Sequence, residues 1–415
     1  MQRKIVGVIA LGAATLAGLV TGHLWSRAHA QSAASTAGAS EAAADAQTRQ
    51  IALAATAFLQ SLTPGQKQAV QFDFMPDKAA AARATFKPSG HPGQRPGAAE
   101  PGAHGPPRSG FGMGPPAGGF VGMGPPGGFI GERYGKAVWS NFPVSDVPRP
   151  GVRLGGLTAE QRGLALRLLQ TALSPSGYRK VQDIMGSDEA LHALGQPFVN
   201  GRDAYTLAIF GAPSQAAPWM IQFGGHHLAL NLVMAGAHGS IEPTLTGAQP
   251  SVYTEGGKTI RVLAAENDKA FALLDALDAR QRKSAILTYK VDDLVLGPGH
   301  DGEMVVPEGI KGAAMTARQQ ALLMDVISEW AGIISNPYAK SRVAEIKAGL
   351  ADTWFAWSGP TTHAPGKNGS SYYRIQGPKV FIEFSPQGVG GDPTMHVHTV
   401  YRDPTSSYGR AFTAS

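Results

Sequence analysis

Val380-Phe381-Ile382-Glu383-Phe384, a ten-residue segment rich in Gly and Pro (Ser385 to Thr394), and then Met395-His396-Val397-His398-Thr399-Val400-Tyr401-Arg402 decide how this chain is read. Both flanking runs are β-branched and aromatic with period-two alternation, and the segment between them carries turn residues, so they predict an antiparallel hairpin. Successive strand side chains take opposite faces, which puts His396, His398 and Arg402 together and Val397, Thr399 and Tyr401 behind them. If Phe384 and Met395 flank the loop symmetrically, Glu383 comes opposite His396 and Phe381 opposite His398. Upstream, residues 205–210, 219–223 and 228–233 carry the same strand signal.

Helices are interspersed with these strands. Leu62-Thr63-x-x-Gln66, Leu157-Thr158-x-x-Gln161, Leu277-Asp278-x-x-Gln281 and Met315-Thr316-x-x-Gln319 share one layout. In each, an N-cap side chain is followed three residues later by Gln and preceded by an apolar residue, a capping box with half of a hydrophobic staple. Their spacings of 95, 120 and 38 residues exclude a regular solenoid. Ile51, Leu53, Ala54, Phe58, Leu59 and Leu62 recur at helical spacing and predict a helix over residues 46–62. Without strict βαβ alternation the expected class is α+β: a mostly antiparallel sheet with several capped helices in a single domain.

Composition bounds the rest. Of 415 residues 43% are hydrophobic, enough for a sizeable core, while 53 Gly and 30 Pro without a triplet period exclude collagen. Residues 87–132 hold 25 Gly or Pro in 46 positions, with Gly112-Met113-Gly114-Pro115-Pro116 recurring at Gly122, and read as a disordered insertion. The match of Gly122-x-Gly124-x-x-Gly127 to a dinucleotide fingerprint is noise, because Pro125 and Pro126 lack the N–H groups a pyrophosphate needs. Zero cysteines exclude disulfides, thiolate metal sites and cysteine nucleophiles. Arg3 and Lys4, the uncharged apolar run Ile5 to Val20, and Ala28-His29-Ala30 predict a signal peptide over residues 1–30, a retained anchor being the alternative. Residues 31–45 read as a tether. Cleavage removes Arg3, Lys4 and Arg27 and no acid, lowering the formal charge from +6 to +3, which leaves no nucleic-acid footprint. The expected product is exported, periplasmic or extracellular, with no stable membrane span after cleavage.

Four of the twelve histidines fall in two clusters, His226-His227 and His396-x-His398. Convergent neutral imidazoles bind metals, and Glu383 beside His396 would complete a two-His, one-carboxylate donor set or sit behind an imidazole. Strand alternation favours His227 over His226 as the member facing the site, although Gly224-Gly225 would permit a bulge. Two other readings stay open: imidazole acid–base chemistry without metal, and a structural role. His192, His238, His300 and His363 are read as structural. Gly-x-Ser-x-Gly, Walker A and His-Glu-x-x-His motifs are missing.

Trp139-Ser140-Asn141-Phe142-Pro143, Leu157-Thr158-x-x-Gln161-Arg162, Phe210-Gly211-x-Pro213-Ser214, Trp219-x-x-x-Phe223-Gly224-Gly225-His226-His227-Leu228, Ile382-Glu383-Phe384 and His396 to Pro404 followed by Tyr408-Gly409 together resemble an uncharacterised bacterial domain-of-unknown-function family, number 3500. The resemblance spans residues 46–409, with residues 87–132 as an insertion and 410–415 as a tail, and implies a domain without an assigned activity. The chain departs from the family pattern at Ser406-Ser407, where an acidic residue is usual before Tyr-Gly, and in lacking a histidine near its C-terminus.

The expected function is an exported metal-dependent enzyme acting on a small molecule. His226, His227, His396 and His398 are its candidate ligands, Glu383 a ligand or base, and Arg402 an anion-binding group. Zinc is preferred and implies hydrolysis; iron, manganese and copper are alternatives, iron or copper implying oxidation. A non-catalytic envelope protein that binds a metal or small ligand is the competing reading, and an interaction protein acting through the Gly/Pro segment a third.

Overall fold

Two pairs of glutamines organise the helix layer of this computed structural model, which describes residues 38–75, 81–86, 128–195 and 201–413. The predicted signal peptide and most of the Gly/Pro segment lie outside the described residues. The helices are α1 (residues 38–61), α2 (Pro64–Val70), α3 (Ala159–Ala172), α4 (Pro175–Ala193), α5 (Ala264–Ala276), α6 (Ala279–Ala285), α7 (Ala317–Ala331), α8 (Asn336–Ala348) and a short α9 (Arg410–Thr413). All four predicted capping boxes close, with the cap side chain accepting from the Gln backbone N–H and the Gln side chain accepting from the cap N–H. Gln66 and Gln161 then exchange amide hydrogen bonds at 3.0 and 3.3 Å, and Gln281 and Gln319 do the same at 3.0 and 2.7 Å. Each pair also ties off a preceding helix: Gln161 donates to Ser61 O and Gln319 to Ala276 O.

The strands repeat the same duplication. The first half carries β1 (Gln71–Phe72), a small separate sheet of β2 (Ala82–Phe86), β3 (Phe129–Tyr134) and β4 (Ala137–Trp139), then β5 (Val152–Arg153), β6 (Thr206–Phe210), β7 (Trp219–Gly225), β8 (Leu228–Ala235), β9 (His238–Ser240) and β10 (Thr244–Ala248). A ribbon of β11 (Val252–Glu255) and β12 (Lys258–Arg261) leads to β13 (Ile310–Lys311), β14 (Trp354–Ser358), β15 (Tyr372–Gly377), β16 (Val380–Pro386) and β17 (Val397–Arg402). In the main sheet the order is β1-β6-β7-β8-β10-β17-β16-β15-β14-β13, so the second half reverses the first across a seam between β10 and β17. At that seam Thr246 lies opposite Thr399 and their hydroxyls meet at 2.6 Å. The helix layer keeps the relation: Ser174 N donates to Ile333 O and Ser335 N to Ala172 O, each at 3.0 Å. Every pairing in this sheet is antiparallel except β1 with β6, in agreement with the α+β expectation.

Both faces of the sheet are covered, so its central strands are buried along their whole length. Leu230, Leu232, Ile382, Phe384 and Tyr373 pack on Leu168, Leu273, Ile327 and Trp330 of the helices. Across the sheet, Ala229, Leu245 and Val400 pack under Trp139 and Leu296. That second face also buries Gln222, Asn231, Glu383 and Arg402, all polar, which explains why Asn231 in the alternating run of β8 is not a solvent-facing residue.

Three boundaries differ from the sequence expectation. Residues 38–45, assigned to the tether, are already helical, and Ala44 is buried. Phe129–Glu132, assigned to the insertion, belong to β3, because Glu132 is the buried partner of Arg402. Arg410–Thr413, assigned to the tail, form α9.

Register in the C-terminal hairpin also differs. Glu383 lies opposite Val400, Phe381 opposite Arg402 and Ser385 opposite His398. The cause is the turn Pro393–Met395, where Asp392 accepts from the Thr394 N–H and hydroxyl and consumes residues on one arm only. The four-residue shift is even, so Glu383 keeps the face of the imidazoles but moves about 13 Å along the strand, from the level of His396 to the row beyond His398.

Candidate metal centre

His226 and His227 do not sit on a strand. They are the two central residues of the turn joining β7 to β8, closed by the Gly225–Leu228 pair, so strand alternation does not separate them. His227 has φ of 60°, in the left-handed region that suits glycine far better than a branched ring residue. Such strain persists where surroundings fix it, and here they do. Arg149 donates from Nη2 to Ser140 O (2.8 Å), Phe142 O (2.5 Å) and Gly225 O (3.2 Å), clamping the 140–147 loop to the turn, while His227 N donates to Asn141 O.

From that turn His227 meets the C-terminal hairpin. Its Nε2 is 3.0 Å from His396 Nε2, which is itself 3.0 Å from His398 Nε2. One ligand nitrogen from each of His227, His396 and His398 lies within 4.8 Å of the others. The rings are 2%, 6% and 5% exposed, so water does little to screen them from one another. Gly247 makes the approach possible: a Cβ there would stand 2.6 Å from Val397 O and 3.3 Å from His227 Cβ.

Protonation follows from this packing. Burial first, and then the imidazoles of His226, His396 and His398, hold His227 well below the usual histidine range. Burial and His398 press His396 down to about 3, against the opposing pull of the Val389 carbonyl. Near neutral pH these two rings are therefore uncharged, as ligation requires. His396 Nδ1 donates to Val389 O at 2.9 Å, which leaves its Nε2 as a bare lone pair. That one lone pair faces two neighbouring nitrogens at 3.0 Å and cannot satisfy both well. A cation would resolve the conflict by accepting all three lone pairs.

Second partners orient the rings. His398 Nδ1 is buried and has no hydrogen-bond partner among the described residues, with Asp293 Oδ1 4.0 Å away. Asp293 is itself held by Gln387 Nε2 (3.0 Å) and the Leu294 N–H (2.7 Å). Burial would raise its carboxyl, but His398, Leu294 and Gln387 outweigh that and keep it below the ordinary value.

Among the other candidates, His226 stacks on His227 with centroids 3.7 Å apart, but its Nδ1 lies 2.7 Å from buried Asp188 and it is not one of the three converging ligands. Glu383 is fully buried; its carboxylate accepts from Val295 N (2.8 Å), Leu296 N (2.8 Å) and Tyr372 Oη (2.6 Å). Burial raises its carboxyl despite those bonds. Arg402 donates to Leu296 O (2.9 Å), Gly297 O (2.6 Å) and Glu132 Oε2 (2.7 Å). Both side chains thus fasten the 295–297 backbone, just beyond Asp293. Sequence reasoning missed Asp293, Asp188 and Gly247, which carry no motif and become relevant only through contacts between distant segments. His300 pairs with Glu303, His363 lies tilted against Phe271 and His238 stacks on Phe412.

A family model described as Protein of unknown function (DUF3500) matches residues 132–410, more than half of the chain. No curated protein and no solved structure matches. Among the described residues, no helix is long and apolar enough to cross a membrane.

Proposed function

The chain belongs to the DUF3500 family, and we propose that it is an exported metal-dependent enzyme whose ion is held by His227, His396 and His398. The convergence of three buried Nε2 atoms, one of them fixed as a lone pair by Val389 O, is the observation that carries this reading. Three protein nitrogens match the ligand count of catalytic zinc sites rather than the four of closed structural ones. A bound divalent ion would supply Lewis-acid activation of water, so hydrolysis is the favoured chemistry, with zinc preferred over iron, manganese and copper. The chain's own contribution is to keep the His227 and His396 rings neutral by burial, to fix His396 through Val389, and to place Asp293 behind His398. Glu383 and Arg402 support the site through the 295–297 segment, a role that does not require contact with substrate. Export rests on the signal-like residues 1–30.

The near-complete burial of the three rings favours one competitor, a non-catalytic envelope protein that stores or carries the ion. Elemental analysis of protein purified without chelator tests the shared premise. Stoichiometric metal in the wild type that is lost in His396→Ala/His398→Ala supports it; equal, substoichiometric metal in both sinks it. Exchangeable small-molecule binding at the loaded site would then separate an enzyme from a closed carrier.

A further inference from the structure

At the end of the main sheet far from the histidines lies a groove of about 1220 Å³. Three pieces of chain wall it: the last turn of α2 with β1, the hairpin turn between β3 and β4, and the β6–β7 connection. Met220, which lines it, is five residues along β7 from Gly225, about 17 Å from the turn that carries His227. The groove is therefore a place of its own and not part of the metal centre. Residues 71–75 run Gln-Phe-Asp-Phe-Met, and strand alternation turns Phe72 and Phe74 inward, half-buried, against the cluster of Phe210 and Met220. Phe72 stacks on Phe210 with ring centroids 5.2 Å apart. Met75 remains 48% exposed in the same lining. The charged lining residues are exposed ones: Lys67, Arg133, Lys136 and Asp73. Among the described residues none of the three cations forms an ion pair, and Asp73 leaves the lining with two positive charges in surplus.

We propose that this groove binds a free long-chain carboxylate, its alkyl tail lying on Phe72, Phe74 and Met75 and its acidic head drawn to Lys67, Arg133 and Lys136. An apolar concave surface with a few charged groups around it is the usual form of a small-molecule site, and this volume exceeds the roughly 300–1,000 Å³ of compact ligands, as an elongated tail requires. Charge disfavours the chain's own residues 87–127 as occupant. They carry Phe111, Met113, Phe120 and Met123, but Lys87, Arg95 and Arg108 against Glu100 give them the sign of the groove. An acidic peptide adding to the edge of β1 would find only two strand residues to pair with.

The probe is dodecanoate, kept below its micelle concentration and titrated into the full-length protein at low salt by calorimetry. One molecule should bind, the cationic dodecyltrimethylammonium at least tenfold more weakly and acetate not detectably. Methyl-labelled methionine NMR should show Met75 and Met220 shifting while Met185 and Met324, in the helix layer, stay still. Lys67→Glu/Lys136→Glu should weaken dodecanoate binding about tenfold, since two exposed charges are reversed. Met75→Asp should do the same by setting a carboxylate among the apolar lining. All three positions are exposed, so urea midpoints should match the wild type. Equal affinity for the two dodecyl heads, wild-type affinity in either variant, or no binding would overturn the proposal. Binding to anionic phospholipid vesicles without binding of the free acid would overturn it in favour of a membrane contact. Dodecanoate binding that emerges only after deletion of residues 88–127 would make that segment the occupant instead.

Discussion

Replacing Gly247 by Ala tests the packing that brings the imidazoles together. The added carbon would stand 2.6 Å from the Val397 carbonyl oxygen, well inside normal contact, and 3.3 and 3.4 Å from His227 Cβ and Cδ2. The carbonyl belongs to β17 between His396 and His398, and Gly247 pairs directly opposite His398. It cannot rotate away as a flexible side chain would, so β10 and β17 must separate by several tenths of an ångström. Overpacking of this kind costs about 1–3 kcal/mol, offset by roughly 0.4–1 kcal/mol from the lower entropy of an unfolded chain that has lost a glycine. The net expectation is a loss of about 1.3 kcal/mol at the middle of these ranges, read as a lower urea midpoint at unchanged slope in metal-free protein. Displacing His227 and His398 relative to each other should also weaken zinc binding about 10–100-fold, the usual effect of disturbing the support of a ligand. Competition with a chromophoric chelator measures this. A variant with wild-type stability and wild-type zinc affinity would refute the claim that this contact sets the geometry.

Other outcomes follow from the same coordinates. Because His396 and His227 are held below their ordinary range when folded, the unfolded chain binds more protons below pH 6.5. Metal-free stability should therefore fall as pH drops from 6.5 toward 5, approaching about 1.4 kcal/mol per pH unit for each fully responding ring; a flat urea-midpoint profile over that window would contradict it. His227→Gly should relieve the strained turn, leaving metal-free stability equal or higher, while zinc affinity drops at least a hundredfold; parallel loss of both would show that the ring is chiefly structural. Glu383→Gln replaces one of the two carboxylate oxygens by an amide donor, which then faces one of the Val295 and Leu296 N–H groups, so a loss of about 1–3 kcal/mol and faster hydrogen exchange at that amide are expected. Thr399→Val strands the Trp330 indole N–H, which donates to Thr399 Oγ1 at 3.0 Å, and should cost about 1–3 kcal/mol in chemical denaturation.

Much of the fold was legible because local chemistry wrote it. The capping boxes specify helix starts through bonds between residues three apart, and all four formed. The strands of the two central hairpins were readable from β-branched and aromatic alternation. His396 and His398 share a face as period two requires, and that argument survived the register shift because the slip was even. The distance of Glu383 from His396 was not legible, since Asp392 and Pro393 shorten one arm of the hairpin by a turn that face counting does not register. His227 entered the cluster for a reason alternation could not supply, a tight turn with a left-handed residue. Arg402, which the sequence offers as an anion-binding group, is buried against Glu132, 270 positions away. The duplication was half visible. The capping boxes belong together in pairs rather than at an even spacing, and the hairpin turns Gly225-His226-His227-Leu228 and Gly377-Pro378-Lys379-Val380 hold matching places in the two halves.

The hydroxyl pair of Thr246 and Thr399 has a consequence for how the halves must exist. Cut apart between β12 and α5, each would end in a long exposed edge strand with a row of unpaired N–H and C=O groups, a template for adding another chain. Joined, each half caps the other's edge, so the covalent link guarantees at any dilution the partner that a separate half would have to find by collision.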